Sequence, residues 1–255
     1  MVAQELKSAG FKVYAAARRV DRMADLEKDG ITPAALDLTR DGSIAACVNT
    51  ILSKEKSIDV LVNNAGYGSY GAIEDVPLEE GRRQFEVNLF GTARLIRLVT
   101  PAMREQHYEK IVNISSMGGK IWTKFGGWYH ATKYAVEGLS DCLRMELQPF
   151  GIDVVVVEPG GIKTDWGLIA AENLKKTSTN GAYAEMANKA ADGMIKNYSG
   201  DLLSKPALIA KTVRKAVTKR RPRTRYLAGF GAKPMVWTHR LFGDRVFDWV
   251  LRTFS

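Results

Sequence analysis

Short apolar runs alternate along the chain with longer segments in which apolar residues recur every three or four positions. The short runs have the length of buried strands, and the longer segments have the period of helices that cover a sheet. This alternation predicts an α/β fold with a doubly wound parallel sheet between two layers of helices. The predicted strands are 11–17, 32–36, 58–62, 110–114, 152–157 and 225–227, and the predicted helices are 2–9, 43–54, 78–104, 128–148 and 206–218.

Two segments are less regular. Residues 165–204 predict irregular helix and loop, in a region where a substrate could be covered. The tail at 229–255 is rich in large apolar residues and is interrupted at Gly243, which predicts short helices that cover a substrate pocket or form a subunit contact. Peripheral contact with a membrane is the alternative. The apolar residues of the tail are Met235, Trp237, Leu241, Phe242, Val246, Phe247, Trp249, Val250 and Phe254.

The composition favours a single domain over 1–255, because a chain of this length can bury one large core and no linker rich in Pro, Ser or Gly divides it. No apolar run approaches the roughly 18 residues of a membrane-spanning helix, and the first residues lack the apolar core of a signal peptide. We therefore expect a cytoplasmic protein.

The net charge of +9 is concentrated near the C-terminus, where residues 202–243 hold eleven Lys or Arg and no acid. A solvated helix face that runs into a turn at Pro222 is the favoured interpretation. An anionic membrane surface is the alternative. Nucleic acid is not expected as a partner, because no aromatic-interleaved recognition motif accompanies the charge.

The two cysteines, Cys47 and Cys142, lie on predicted helix faces. We expect buried thiols there rather than a disulfide or a nucleophile. The three histidines have no metal-ligand spacing, so no metal site is predicted.

Polar and glycine-rich motifs follow several of the predicted strands, where the ligand crevice of a doubly wound sheet lies. Asn63-Asn64-Ala65-Gly66 follows one strand, Ser115-Ser116 another and the segment 159–164 a third. Tyr129 and Lys133 are four residues apart on a predicted helix, which places a phenol and an ammonium on one face. That spacing alone also occurs in surface helices, so its weight comes from the neighbouring motifs.

In this order the motifs resemble those of short-chain dehydrogenases/reductases, over Val2 to about Tyr226. They are NNAG at 63–66, Asn88 in VNLFGT, Ser116 in VNISS, YHATK at 129–133 and PGGIKT at 159–164. The resemblance implies a Rossmann-type oxidoreductase that interconverts a ketone or aldehyde and an alcohol. It implies that Ser116 binds the substrate oxygen, that Tyr129 exchanges the proton, and that Asn88 joins Lys133 in a proton path. An Asn88 that only satisfies backbone groups is the alternative.

Proton donation by tyrosine near neutral pH needs a shifted pKa. Free tyrosine titrates near ~10, so a shift of about three units requires roughly 4 kcal/mol of extra phenolate stabilisation. One cation at ~4 Å in an effective dielectric of about 20 supplies roughly that much. Lys133 is therefore predicted to lower the pKa of Tyr129.

The residues after the strand at 11–17 favour NADP(H) over NAD(H). They are Arg18 and Arg19, with no acid to bind a ribose 2′-hydroxyl, and two guanidinium groups suit a 2′-phosphate. Arg18 is the favoured contact. The resemblance adds Asp37 near the adenine and places the remaining cofactor contacts at Asn63, Ala65, Gly66, Tyr129, Lys133, Pro159, Gly160, Ile162 and Thr164.

One part of the family pattern is missing. Members of the family open with a strand and a TGxxxGxG turn that binds the pyrophosphate. This sequence begins at Met1 with residues that match the middle of the following helix. In the family's strand order, 3-2-1-4-5-6-7, the opening strand is central, so the strands at 11–17 and 58–62 are each predicted to have an unpaired edge. We expect Met1 to be an internal methionine of a longer enzyme; for the chain as given, we expect tight NADP(H) binding to fail.

The predicted substrate is bulky and apolar, in the manner of a steroid, retinoid or lipid, with Trp122, Trp128 and Trp166 near the pocket. A homodimer or homotetramer is expected by resemblance. Two other classes remain open: a cofactor-less scaffold or pseudoenzyme, which the missing turn would suit, and a protein that binds a membrane surface or a polyanion through its basic tail.

Overall fold

The computed structural model describes residues 1–106 and 109–254, with six strands and ten α-helices in those ranges. The strands are β1 (Tyr14–Ala17), β2 (Thr32–Ala35), β3 (Val60–Asn63), β4 (Lys110–Ile114), β5 (Asp153–Pro159) and β6 (Arg225–Ala228). The helices are α1 (Val2–Ser8), α2 (Ala24–Lys28), α3 (Asp41–Glu55), α4 (Leu78–Phe85), α5 (Gly91–Arg104), α6 (Gly127–Leu147), α7 (Trp166–Ser178), α8 (Ala184–Ser199), α9 (Ala207–Thr218) and α10 (Ala232–Phe254).

All strand pairs are parallel. β1 pairs with β2, with Tyr14 opposite Thr32, and a second sheet has the order β3-β4-β5-β6. Lys110 lies opposite both Val60 of β3 and Asp153 of β5, so the strands end at a common edge. The parallel arrangement predicted from the alternating pattern is confirmed.

Helices cover both faces of the sheet because successive residues of a strand point to opposite sides. Ile111 and Val154 pack in one cluster with residues of α3 and α5, whereas Val112 and Val155 pack in another with residues of α1 and α9. The predicted α/β/α layers are therefore confirmed. β4 and β5 carry buried apolar residues on both faces, as expected of strands buried from two sides.

The two strands expected to lack a neighbour do lack one. Among the described residues, β1 pairs only with β2, and β3 pairs only with β4. Each of these two strands therefore has one edge without a partner strand. The order β2-β1 followed by β3-β4-β5-β6 is the family order without its central opening strand. Apolar side chains pack near the unpaired edges of β1 and β3, since Leu6 and Val13 share a hydrophobic cluster with Val60 and Val62.

The segment 165–204 is more regular than its sequence indicates. It forms α7 and α8, which pack on each other through fully buried small residues and one leucine, namely Ala170, Ala171, Leu174, Ala187 and Ala191. Alanines allow two helices to approach closely but leave no strong apolar period, so the helix predicted in this segment is more regular than its pattern indicates.

The long helix predicted at 78–104 is confirmed, with a π-helical turn inside it. A π-helical turn at Glu86–Phe90 separates α4 from α5. One extra residue in such a turn widens the helix locally.

In the C-terminal tail, the predicted short helices are the two halves of α10, which meet at Gly243, where φ is 73°. The side chain of Phe254 lies outside the described part.

The prediction of two buried thiols is confirmed for Cys47 and wrong for Cys142, which is exposed because it lies on the outer side of α6.

None of the described helices is long and apolar enough to cross a membrane.

A substitution at Gly160 would test how closely the backbone at the end of β5 packs against Phe230. A Cβ at Gly160 would lie 2.3 Å from the Phe230 carbonyl oxygen, whereas a Cβ at Gly138 on α6 would have no atom within 4 Å. We expect Gly160→Ala to lower the free energy of unfolding by about 1 to 3 kcal/mol through overpacking. The control Gly138→Ala should raise it by about 0.5 to 1 kcal/mol. Urea denaturation measures both, and an unchanged Gly160→Ala would contradict the close approach.

Candidate active site

Ser116, Tyr129 and Lys133 come together where β4 meets α6. Ser116 lies two residues beyond β4, and Tyr129 and Lys133 occupy the first two turns of α6. The Lys133 ammonium donates a 2.9 Å hydrogen bond to the Ile114 carbonyl at the end of β4 and lies 5.9 Å from the centre of the Tyr129 ring. The Ser116 hydroxyl is 3.5 Å from the Pro159 carbonyl oxygen. The structure thus brings the three predicted side chains to one place.

His130 holds the loop after β4 against α6. Its Nδ1 lies 2.9 Å from the Gly118 carbonyl oxygen, and its Nε2 lies 3.0 Å from the Thr123 backbone nitrogen. The carbonyl requires a proton on Nδ1, and the Thr123 N–H requires an acceptor at Nε2, so the ring is neutral with a defined tautomer. Burial also lowers the pKa of His130. No sequence signal beyond its place in YHATK marked this role.

Burial has opposite consequences for the phenol and the ammonium. It raises the pKa of Tyr129, partly offset by the nearby Ser116 hydroxyl, and it lowers the pKa of Lys133 to about 8, against the opposing effect of Glu137. The prediction that Lys133 lowers the pKa of Tyr129 is not confirmed in this structure. The cost of burying a phenolate exceeds the effect of an ammonium 5.9 Å from the ring.

Asn88 lies in the π-helical turn, almost fully buried. Its amide oxygen accepts from the Tyr67 N–H at 3.0 Å, and its amide nitrogen donates to the Tyr67 carbonyl at 2.9 Å. A Cβ at Gly66 would lie 3.1 Å from the Asn88 oxygen and 3.7 Å from the Lys133 nitrogen. Asn88 therefore does satisfy backbone groups, the alternative role considered for it, and it also lies beside Lys133 across Gly66.

A cavity of about 340 Å³ opens at the carboxyl end of β1. Five residues predicted to contact a cofactor line it, namely Arg18, Arg19, Asp37, Ala65 and Gly66. Hydrogen bonds from the Thr39 backbone and hydroxyl lower the pKa of Asp37, so that carboxylate is ionised at neutral pH.

Arg22 and Tyr67 also line this cavity, although no motif marks them in the sequence. Arg22 belongs to the 3-10 turn Val20–Met23, three residues after Arg19. That spacing, which places two side chains on one side of a helical turn, is the signal that could have identified it.

The other predicted cofactor residues do not line the cavity. Asn63 donates to the Asn113 side chain at 2.8 Å, and Asn113 donates to Ser140 at 2.9 Å, so Asn63 joins β3, β4 and α6 in a buried polar chain. Pro159, Gly160, Ile162 and Thr164 lie instead at and beyond the end of β5, where the Gly160 N–H donates to the Ala228 carbonyl and Ile162 forms a bridge with Ser204.

Aromatic rings surround Tyr129. The ring centre of Trp166 lies 4.9 Å from that of Tyr129, and the ring centre of Tyr70 lies 6.0 Å from it. The other two tryptophans expected at the pocket are elsewhere: Trp122 packs on α10 through Phe247, and Trp128 packs on Phe85 of α4. Their distance in sequence from Tyr129 is short, but their side chains leave the loop and helix on other sides.

A buried carboxyl pair that the sequence does not reveal lies one turn beyond Lys133. Glu137 of α6 and Glu158 of β5 are both almost fully buried, between Lys120 and Arg225. Arg225 donates to Glu137 at 3.1 Å. Burial and the neighbouring Glu137 raise the pKa of Glu158 to about 7. The two acids are 21 positions apart in the sequence, so only the packing of α6 on β5 makes them a pair.

Comparisons with known proteins agree on one family. A sequence profile of the short chain dehydrogenase family matches residues 1–174. The chain is 33% identical to the probable short-chain type dehydrogenase/reductase VdlC of Helicobacter pylori over 97% of this chain and 90% of that protein. It is 37% identical to a 3-ketodihydrosphingosine reductase of Bacteroides thetaiotaomicron over 72% of this chain and 67% of that protein. A short-chain dehydrogenase from Streptomyces avermitilis superposes with a TM-score of 0.80, at 33% identity and over 94% and 87% of the two chains.

The raised pKa of Glu158 predicts how the free energy of unfolding depends on pH. The pKa of Glu158 in the folded protein is about 7, above its ordinary value of 4.5. Between these values the folded state binds more protons than the unfolded state, so the free energy of unfolding falls as pH rises from about 4.5 through 7. We expect Glu158→Gln to lose this decline and to be at least as stable as the wild type at about pH 8.

The matched control is Glu146→Gln, at an exposed position of the same helix as Glu137. Chemical denaturation at several pH values should give a curve parallel to that of the wild type for this control. A wild-type slope retained in Glu158→Gln would contradict the assignment.

Proposed function

Since this chain belongs to the short-chain dehydrogenase/reductase family of oxidoreductases, we propose that it interconverts a bulky apolar ketone or aldehyde and its alcohol with NADP(H). The observation that carries the proposal is the meeting of Ser116, Tyr129 and Lys133 beside an aromatic wall, next to a cavity lined by three arginines. NADP(H) would supply or accept the hydride. Everything else in the reaction falls to the side chains of this protein.

Tyr129 is the proposed acid. Because burial raises its pKa, its hydroxyl stays protonated at neutral pH and can donate to a carbonyl oxygen held by the Ser116 hydroxyl. When the carbonyl carbon gains a hydride and its oxygen gains the Tyr129 proton, an alcohol forms and a phenolate remains. Lys133, whose pKa of about 8 makes proton exchange easy near neutrality, lies beside Asn88 on the proposed route for reprotonation.

The preference for NADP(H) follows from charge. Arg18, Arg19 and Arg22 line one side of the cavity, and Asp37 is its only acidic lining residue. A 2′-phosphate is an anion whose oxygens can accept several charge-assisted hydrogen bonds from guanidinium groups, whereas a 2′-hydroxyl is neutral and offers a single oxygen. A Cβ at Gly66 would lie 3.1 Å from the Asn88 oxygen, so glycine at this position lets the backbone at the edge of the cavity pack closely on Asn88 beside Lys133. The residues that line the cavity fit the adenosine end of the cofactor, and the residues around Lys133 fit its reacting end. Residues 159–164 fit the middle part of the cofactor less directly, because they do not line the cavity.

The aromatic wall supports an apolar substrate. Tyr70 and Trp166 contact Tyr129, and all belong to a hydrophobic cluster with buried alanines of α7 and α8. A relative whose name specifies a ketone on a long-chain base, the 3-ketodihydrosphingosine reductase, is consistent with a lipid-like ketone. A homodimer or homotetramer and a cytoplasmic location stay predictions.

The pseudoenzyme alternative leads to the first test. We expect Tyr129→Phe to reduce NADPH-dependent turnover of apolar ketones by about 10²- to 10⁴-fold, because the proton donor is removed. The control Tyr134→Phe changes a half-exposed tyrosine on the next turn of the same helix and should retain full activity. Steady-state kinetics over a panel of apolar ketones provides the measurement. Equal activity in the two variants would rule out the proposed role of Tyr129.

The cofactor preference leads to the second test. Arg18→Ala and Arg22→Ala should each weaken NADPH binding about ten- to hundredfold, since each loses a hydrogen bond to a charged group. NADH binding should change little. Arg97→Ala, at an exposed position on α5, is the control.

Fluorescence titration with each nucleotide measures the change, in the wild type and in each variant. Equal losses for NADPH and NADH would overturn the assignment of these arginines to a 2′-phosphate. Failure of the wild type to bind either nucleotide would favour the cofactor-less scaffold.

A further inference from the structure

The outer side of α10 carries large apolar side chains that the described residues leave uncovered. Trp237 is 48% exposed, Leu241 68%, Phe242 64%, Val246 40% and Trp249 62%. Scattered exposed apolar residues are normal, but five large ones within thirteen positions of one helix form a patch. Such patches mark surfaces that bind something.

The two halves of α10 present the same pattern on this side. Before the bend at Gly243, Lys233, Trp237, Arg240 and Leu241 lie on one face, because their spacing follows the helical repeat. After the bend, Arg245, Val246, Trp249 and Arg252 do the same. Each half thus combines one tryptophan, one aliphatic residue and two cations.

The opposite side of each half faces the protein. His239 and Phe247 lie 4.7 and 5.3 Å from Trp122, measured between ring centres. Phe247 is fully buried. The Trp122 indole N–H donates to Asp248 at 3.0 Å. Both halves are therefore anchored on the same tryptophan, with their outer sides turned away from it.

The charges separate in the same way. Asp248 accepts from Trp122 on the inner side, and Asp244, whose side chain is 77% exposed at the bend, pairs with His239 at 3.0 Å, so both acids of α10 have a partner. Lys233, Arg240, Arg245 and Arg252 are exposed, and none forms an ion pair with any described residue. The Arg240 guanidinium lies over the Trp237 ring at 5.4 Å. The outer side is accordingly apolar and positive.

We propose that the outer side of α10 docks on the surface of a bilayer that contains anionic lipids. Tryptophan favours the boundary between lipid headgroups and acyl chains, aliphatic side chains enter just below it, and Lys and Arg beside them pair with lipid phosphates. The helix would lie in the plane of this boundary, since no described helix is long and apolar enough to cross a membrane.

A second copy of this chain fits the same surface less well. A symmetric dimer places one patch against its own copy, so a surface that carries four cations would meet a surface that carries the same four and no acid to pair with them. Like charges brought together in this way oppose association. Anionic headgroups instead offer a complementary charge at every position along the helix. The charge pattern therefore decides for lipid.

The test uses the full chain and needs neither cofactor nor substrate, so its outcome is independent of the proposed enzymatic activity. The protein is sedimented with vesicles of phosphatidylcholine alone and with vesicles containing about one third phosphatidylglycerol, at low and raised salt. We expect binding to the anionic vesicles that weakens as salt rises, and little binding to the neutral ones. Quenching of tryptophan fluorescence by brominated lipid should accompany it.

Two double variants probe the patch: Trp237→Ser with Trp249→Ser, and Arg240→Glu with Arg245→Glu. All four positions are exposed, so both proteins should fold, and each should bind anionic vesicles at least about tenfold more weakly. The matched controls are Arg220→Glu with Arg221→Glu, in the exposed basic segment before β6, and Met145→Ser, an exposed apolar position on α6. Both controls should bind like the wild type.

Three results would overturn the proposal. The wild type fails to bind anionic vesicles, the Arg220 and Arg221 variant loses as much binding as the α10 variants, or light scattering shows a dimer that the Trp237 and Trp249 variant no longer forms. The last result would assign the patch to a second copy of the chain.

Discussion

The hydrogen bond from Lys133 to the Ile114 carbonyl joins the second turn of α6 to the end of β4, and the candidate site depends on that junction. It requires α6 to pack across the sheet with its first turns at the carboxyl edge. Ser116, two residues past β4, then faces Tyr129, one turn before Lys133. His130 stabilises the same junction by holding the loop between Gly118 and Thr123. A helix shifted by one turn would separate all of these groups.

The burial that comes with this packing shifts the ionisation of each group. It favours the neutral form everywhere, so it raises the pKa of Tyr129, lowers that of Lys133 and raises that of Glu158. Tyr129 is thereby kept ready to donate a proton, and Lys133 is brought close to neutrality. The Glu137 carboxyl beside it opposes the second change. The buried carboxyl pair thus belongs to the electrostatic surroundings of Lys133.

The open cavity and the buried carboxyl pair are different environments. The sequence indicates the residues that line the cavity more reliably than it indicates the buried pair. Arg18, Arg19 and Asp37, which are predicted to contact a cofactor, line the cavity, because they follow strands whose positions the apolar runs reveal. Asn63 has the right position in the sequence but belongs to a polar chain inside the sheet. The direction in which a side chain leaves a strand end depends on the loop that follows, and no local pattern encodes it.

The sequence by itself determined the layered parallel fold and the segments that carry Ser116, Tyr129 and Lys133, because strand periods and short motifs are local properties of a chain. The order of the strands and the gap beside β1 were implied by the resemblance to the family. The tertiary structure decided the rest. The helices at 165–204 form through alanine contacts between two segments, Glu137 and Glu158 become a pair only when α6 covers β5, and Trp122 serves α10 instead of the pocket. Each of these depends on which residues distant in the chain are brought together, and that is a property of the packed structure alone.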